Sequence, residues 1–330
     1  MSENESPDEA GTVGRRTIAY VLPVFNEEEN IGVFHAALIE ATATRTDLDY
    51  EFVYVDDGSR DDSLSRLLKL RADDDRVTVL SFSRNFGHQV AVTAGLDACT
   101  RANAVIVMDT DLQDPPRVSL EMIEMWEGGV DVVFAQRRSR KDSPFKRATA
   151  YGFYWALDRM ADIEIPRNVG DFRLMDRRVV AEVSRYREQD RFLRGIVAHV
   201  GFRQEALLFD RDPRFAGETG YPLRKMLSFA ASGIIGFSTA PLRWISRLGI
   251  AISVFSVLLA VYVAGVRIFN PDQAVPGWAF LGVGMFLLSG LQLIMMGVIG
   301  TYLGRVYAEA QNRPLYSLAL TARGPRDGAR

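Results

Sequence analysis

A single cysteine, three histidines and a formal net charge of only −3 are the scarcities of this sequence. A lone thiol closes no intramolecular disulfide. Cys99 lies in the helical-looking stretch AVTAGLDACT, where a small buried apolar role is expected rather than a nucleophile. His35, His88 and His199 are scattered, with neither HExxH nor CxxC spacing, so a zinc site is not expected. A charge this close to zero argues against bulk nucleic-acid binding. No GxGxxG, GxxxxGK[ST] or GxSxG motif occurs. A Rossmann dehydrogenase, a P-loop NTPase and an α/β-hydrolase are each disfavoured. The start, MSENESPDEAGTVGRR, is polar and acidic, opposite in character to a signal peptide. Residues 1–16 read as a disordered tail.

Long apolar runs are present, and they lie late in the chain. No charge interrupts Leu248 to Val266, between Arg247 and Arg267, or Gln273 to Gly304, between Asp272 and Arg305. Each reaches the roughly 20 residues of a membrane-spanning helix. Two spans are expected, at about 246–268 and 275–303. Arg243 and Arg247 precede the first, while Arg305, Arg313, Arg323, Arg326 and Arg330 follow the second. Basic flanks favour the cytoplasmic side, which puts the large N-terminal domain there as well. Two stretches mix aromatic and basic residues, Ser143 to Asp162 and Tyr221 to Trp244. That composition suits either the headgroup layer or packing against the domain.

From Thr17 to about Ala135, strand-like and helix-like patterns alternate. The candidate strands are TIAYVLPV, EFVYVDD, RVTVLSF, AVIVMD and DVVFAQ, and this rhythm predicts a mostly parallel sheet. Ligands in such sheets bind beyond the carboxyl ends of the strands. The fourth strand runs into VIVMDTDLQDPP, where three aspartates fall within six residues. Helix capping, with Pro115 and Pro116 starting a helix, accounts for Asp114 but not for Asp109 and Asp111. Two apart in extended chain, Asp109 and Asp111 leave on the same side. Paired hard oxygen ligands suit Mg2+ or Mn2+, which bridge carboxylates to substrate phosphates.

Eight motifs then carry a resemblance. YVLPVFNEEENI, VYVDDGSRDDS, SFSRNFGHQVAVTAGLDA, VMDTDLQDPP, GDFRLMDRRVV, RFLRG, RFAGETGYPLRKML and GFSTAPLR occur in this order. The chain resembles the bacterial polyprenyl-phosphate glycosyltransferases of glycosyltransferase family 2. These have the GT-A fold and are similar to dolichol-phosphate mannose synthases. The resemblance covers residues 17 to about 305. It implies inverting transfer of one sugar from a nucleotide-sugar, with UDP preferred by analogy, to a polyprenyl phosphate at the inner membrane.

The same resemblance implies residue roles. Pro23, Phe25, Glu27 and Asp57 would line the nucleotide pocket, which Asp109 also borders. Asp109, Asp111 and Gln113 would surround the metal. Asp171 would be the catalytic base, alongside Asp111. Arg137 and Arg147 would contact the acceptor phosphate, and Arg214 is a further phosphate candidate. For Glu27 the alternative is stabilisation of a helix N-terminus. Arg191 and Arg194 share a helix face as read here, serving either the diphosphate or a surface ion pair. Gly220 follows GET where relatives often carry lysine, which weakens a phosphate-clamp reading of that loop.

The expected organisation is a tail (1–16), a cytoplasmic GT-A domain (17–220), an interface region (221–244), two transmembrane helices (245–305) and a cytoplasmic tail (306–330). The bilayer is an expected partner, nucleic acid is not, and a homo-oligomer is compatible. Two rival readings remain: a processive polysaccharide synthase, and a non-catalytic metal-binding membrane adaptor. The first would need more spans and usually a QxxRW motif; QDRFLR lacks the tryptophan. The sugar is not fixed by the sequence.

Overall fold

The computed structural model describes residues 15–137, 169–209, 240–269 and 277–323. Its centre is an eight-stranded sheet. Four parallel strands come first: β1 (Arg16–Val24), β2 (Leu48–Asp56), β3 (Val77–Phe82) and β4 (Ala104–Val107). Between them run the helices α1 (Ile31–Thr42), α2 (Ser63–Asp73) and α3 (His88–Ala98). After α4 (Val118–Glu127) come β5 (Val132–Arg137) and β6 (Val169–Asp176), then α5 (Arg177–Val183), α6 (Leu193–His199) and β7 (Gln204–Phe209). Strand β6 runs antiparallel to both β4 and β5. The spatial order is β7-β5-β6-β4-β1-β2-β3-β8, where β8 is Leu318–Ala322. This is the GT-A-like α/β arrangement expected, with a mostly parallel sheet.

Strand alternation sorts the core onto two faces. Ile18, Tyr20 and Leu22 pack with Phe34, Phe52 and Met122 on one side. Ala19 and Val21 pack with Val92, Leu96 and Val179 on the other. Helix α3 lies so close to β1 that a Cβ on Gly95 would meet Val21 Cγ1 at 2.2 Å. Only glycine fits there without displacing the helix that leads into the site. Cys99 is buried in the second cluster, as expected of a small apolar residue.

Two long helices follow, α7 (Ala240–Phe269) and α8 (Trp278–Ala310). Their apolar side chains face outward: Phe255 is 66% exposed and Leu287 is 70% exposed. Among the described residues one segment, Leu287–Ala310, is long and apolar enough to cross a membrane. A stretch of α7, Trp244–Leu259, is apolar but shorter.

The chain after α8 differs from the tail expected over 306–330. The helix continues to Ala310, and β8 then joins the sheet antiparallel to β3 along Val79–Phe82. Tyr316 stacks on Phe82 with ring centroids 5.3 Å apart and donates a hydrogen bond to Asp97 at 3.0 Å. The sequence LALTA is too short a run to stand out beside the long apolar stretches, and only its pairing partner makes it a strand. The amphipathic stretches Ser143–Asp162 and most of Tyr221–Trp244 lie outside the described residues, as do residues 1–14.

Candidate active site

The polar residues beyond the carboxyl ends of β1 to β4 form one edge of the sheet, and backbone conformation arranges them. Asn26, at φ 53, turns the chain after β1. Its side-chain carbonyl accepts from Arg60 N at 2.9 Å, and its own N–H donates to Ser59 Oγ at 3.0 Å. The loops after β1 and β2 are thereby zipped together. Gly58 adopts φ +67, and a Cβ there would meet the Arg84 backbone at 2.5 Å, which fixes glycine at this contact.

The residues expected around the nucleotide fall into this region, though not all are equally available. Pro23 is buried in β1, and Phe25 beyond it is 43% exposed. Glu27 accepts from Asn30 Nδ2 and its N–H donates to Ser63 Oγ at 2.9 Å, so it braces the start of α1. Asp57 is engaged with the protein itself. Its carboxylate accepts from Phe86 N at 2.7 Å, Gly87 N at 2.9 Å and Asn85 Nδ2 at 3.0 Å. It therefore holds the loop that delivers α3. Burial raises its pKa, and the two backbone donors oppose that rise.

Strand β4 ends at Val107, so Asp109 and Asp111 sit in a loop rather than in the extended chain expected. Leu112 reverses that loop at φ 58, a conformation uncommon for a side chain of this size and characteristic of functional loops. Gln113 N then donates back to Asp111 Oδ1 at 3.1 Å. Helix α4 begins only at Val118, with Arg117 at its N-cap, so Asp114 does not cap it as expected. Burial, with Asp171, Asp111 and Asp114 nearby, pushes the Asp109 carboxyl up to about 6; His88 pulls the other way. Like charges at close range disfavour joint ionisation, so the carboxylates gathered here repel one another. Among the described residues, no three His, Cys, Asp or Glu side chains are grouped as ligands for a metal.

Strand pairing brings a fourth carboxylate to the cluster. Val107 of β4 faces Arg173 of β6, and just before Arg173 on β6 Asp171 shares His88 with Asp109. Arg194 Nε donates to Asp171 Oδ1 at 2.8 Å. His88 Nε2 and Gln89 Nε2 each lie 3.1 Å from Oδ2, and Arg173 Nη2 is 3.9 Å from Oδ1. Burial alone would raise the pKa of Asp171. The His88 hydrogen bond and the Arg194 charge outweigh it and hold the carboxyl far below the usual range. For His88, burial lowers the pKa, but Asp171 and Asp109 (3.7 Å away) prevail and raise it. Arg173 is buried, which pushes its guanidinium down to about 10.

The arginine pair in RFLRG is not a helix-face pair. Helix α6 starts at Leu193, so Arg191 precedes it and even its N-cap, Phe192. Arg191 is buried, donates to Tyr186 O, and has Arg187, Asp97 and Glu188 as its charged neighbours rather than the carboxylate cluster. Arg194 alone reaches the cluster. Arg137 closes β5, its backbone paired with Phe209. Arg147 and Arg214 lie outside the described residues.

His88 and Gln89 were not singled out from the sequence. The signal was available, because they follow β3 just as Asp57 follows β2 and Asp109 follows β4. His88 stands only among the scattered histidines, and Gln89 carries no charge to mark it.

Residues 20–184 match the model of the family described as "Glycosyl transferase family 2". The chain is 47% identical over 297 residues to the protein named "Uncharacterized glycosyltransferase YkcC" of Bacillus subtilis (strain 168), covering 90% of this chain and 91% of that one. It is 40% identical over 301 residues to the "Prophage bactoprenol glucosyl transferase homolog" of Escherichia coli (strain K12), covering 91% and 97%. The solved mannosyltransferase PcManGT from Pyrobaculum calidifontis superposes over 87% of each chain at 14% identity, with a TM-score of 0.45. An α/β sheet with its acids and cations gathered at one edge, and relatives this similar over nine-tenths of the chain, lead to one statement: the chain belongs to glycosyltransferase family 2 and is a glycosyltransferase.

Proposed function

We propose that this enzyme transfers one sugar, with inversion, from a nucleotide-sugar to a polyprenyl phosphate at the cytoplasmic face of the membrane, and that UDP is the nucleotide. The observation that carries the reading is the Asp171 cluster. Directly beside an acidic loop, it gathers His88, Arg173 and Arg194, the charges that an anionic acceptor and a departing diphosphate need. The 40% identity to a bactoprenol glucosyl transferase homolog supports a polyprenyl acceptor.

The acidic loop fits a divalent cation, Mg2+ or Mn2+. Its carboxylates crowd one another, and such ions commonly take one or two carboxylates and complete their shell with phosphate oxygens. Asp109 and Asp111 would hold the ion with Gln113 beside them, and it would supply positive charge where the diphosphate departs. The chain's own residues do the remaining work. An oxygen of the acceptor phosphate forms a bond to the anomeric carbon as the bond from that carbon to the diphosphate breaks. At pH 7 a phosphate monoester, with a second pKa of about 6, is already mostly the dianion, so little proton abstraction remains. Asp171, held low by its partners, is suited to fixing Arg194 and His88 rather than to accepting a proton. Arg137, Arg147 and Arg214 remain assigned to the phosphates.

Membrane attachment rests on the outward apolar faces of α7 and α8. The chain leaves the sheet after β7 and rejoins it at β8, which pairs with β3, so the two-helix segment departs from the catalytic domain and returns to it. If α8 crosses a bilayer, an earlier part of the chain must cross it too, and the apolar stretch of α7 is the candidate, which supports two spans.

The test is incubation of membranes containing the protein with a panel of radiolabelled nucleotide-sugars and a polyprenyl phosphate. Label should enter the lipid extract as a single sugar. Label in a polymer would mean a processive synthase, and no transfer with any donor would leave the adaptor reading.

A further inference from the structure

Four donors surround Asp171, and one of them has a second attachment. Gln89, at the second position of α3, donates through Nε2 to Asp171 Oδ2 at 3.1 Å. Its carbonyl oxygen accepts from Leu193 N, the first residue of α6, at 3.0 Å. The first N–H groups of a helix have no partner within it, so this bond satisfies one that the α6 N-terminus leaves open. The next residue after Leu193 is Arg194, whose Nε binds the other oxygen of the same carboxylate at 2.8 Å. The four residues therefore close a ring: α3 to β6 through Asp171, β6 to α6 through Arg194, and α6 back to α3 through Leu193 N.

We propose that Gln89 is a positioning residue that sets where the Arg194 guanidinium stands against the anionic substrates by tying Asp171 and the first turn of α6 to one side chain. The inference rests on the reading that Arg194 and Asp171 flank the transferred group. Chemistry selects glutamine here. A primary amide presents a donor and an acceptor from one planar group, which is what the ring demands. A carboxylate would still accept from Leu193 N but would face Asp171 as a second negative charge. Leucine would supply neither bond, and asparagine is one methylene too short to keep both.

Substitution separates the two halves. Full-length protein in detergent, with UDP-glucose and undecaprenyl phosphate as probes, should show Gln89→Leu slowed about tenfold or more in kcat, with KM for the nucleotide-sugar within about twofold, since misplacement acts on the reacting geometry. Gln89→Glu should be equally slow at pH 7.5 although it keeps the α6 contact. It should regain activity relative to wild type as pH falls toward about 5.5, where a protonated carboxyl can again donate to Asp171. Amide hydrogen exchange at Leu193 should be faster in Gln89→Leu and unchanged in Gln89→Glu at pH 7.5. Near-normal turnover of Gln89→Glu at pH 7.5 would reduce Gln89 to a helix brace and overturn the proposal. So would a Leu193 amide that exchanges equally fast in wild type and Gln89→Leu. Wild-type protein that transfers no sugar to the lipid from any nucleotide-sugar would instead count against the acceptor reading, a result seen without any Gln89 variant.

Discussion

Asp171 is the residue on which the cationic side of the site converges, and its surroundings decide what replacing it should do. Asn can still accept from Arg194 but must turn a donor toward Gln89 or His88, which are donors themselves. Asp171→Asn should therefore be strongly impaired, yet its residual activity should not rise anew between about pH 6.5 and 9, because the phosphate acceptor is already ionised. Activity that climbs across that range would restore the base reading. Asp111→Asn removes a charged group from the acidic loop. It should lower turnover about a hundredfold or more, and EDTA should abolish transfer until Mg2+ or Mn2+ is added back. Near-normal rates in EDTA would remove the cation from the account. Away from the site, His35 lies on the buried face of α1 with Nδ1 3.0 Å from Tyr54 Oη and Nε2 3.7 Å from Asp74. Burial lowers its pKa, Asp74 partly opposes that, and Arg76 adds to it. Between the lowered folded value and the ordinary 6.5, the unfolded chain binds more protons. His35 therefore reduces stability as pH falls below about 6.5 and has no effect on it well above. Melting of His35→Gln and wild type, compared from pH 8 to 5, should show a shallower acid loss in the variant. Parallel curves would mean that His35 titrates alike in both states.

Edge strands invite unwanted pairing, and β3 would be one if β8 did not cover it. The cover is fastened along its length. Ser83 N donates to Ser317 O at 3.0 Å, Arg71 Nη2 to Arg323 O at 2.7 Å, and Tyr316 joins both Phe82 and Asp97. Tyr316→Ala should cost about 1–3 kcal/mol of stability, Tyr316→Phe less, and removal of residues 314–330 should promote aggregation; thermal melts and gel filtration read all three. A truncated chain as stable and monodisperse as the full one would mean that β8 is dispensable. The sequence disclosed the central strands because each is a near-continuous apolar run, as two-sided burial requires. Strand β6 was hidden by the charges of GDFRLMD, which are there because Asp171 and Arg173 belong to the site. Strand β8 was hidden because its pairing is long-range and its run is short. The acidic loop was legible from Asp109 and Asp111. The RFLRG pair was misread because nothing in that stretch marks Leu193, rather than Arg191, as the helix start.

The two long helices make the arrangement of the whole chain a geometric question. With 33 residues, α8 extends about 50 Å, well beyond a hydrocarbon core of about 30 Å. Its last turns meet the catalytic domain. There Arg305 pairs with Asp190 at 2.7 Å and Glu309 accepts from Gln189 N at 2.7 Å. Those contacts hold the helix end against the loop that leads into α6. Helix α7 has 30 residues, of which the apolar stretch is Trp244–Leu259, and it is the second span proposed. The single buried cysteine makes this directly measurable, since Cys99 gives little background to a thiol reagent. A cysteine introduced as Asp272→Cys, between the helices, should react in intact cells with a membrane-impermeant maleimide. One introduced as Arg330→Cys should react only after the membrane is opened. Labelling of both from outside would mean that the chain does not return to the catalytic side, and labelling of neither would mean that α7 and α8 lie on the bilayer instead of crossing it.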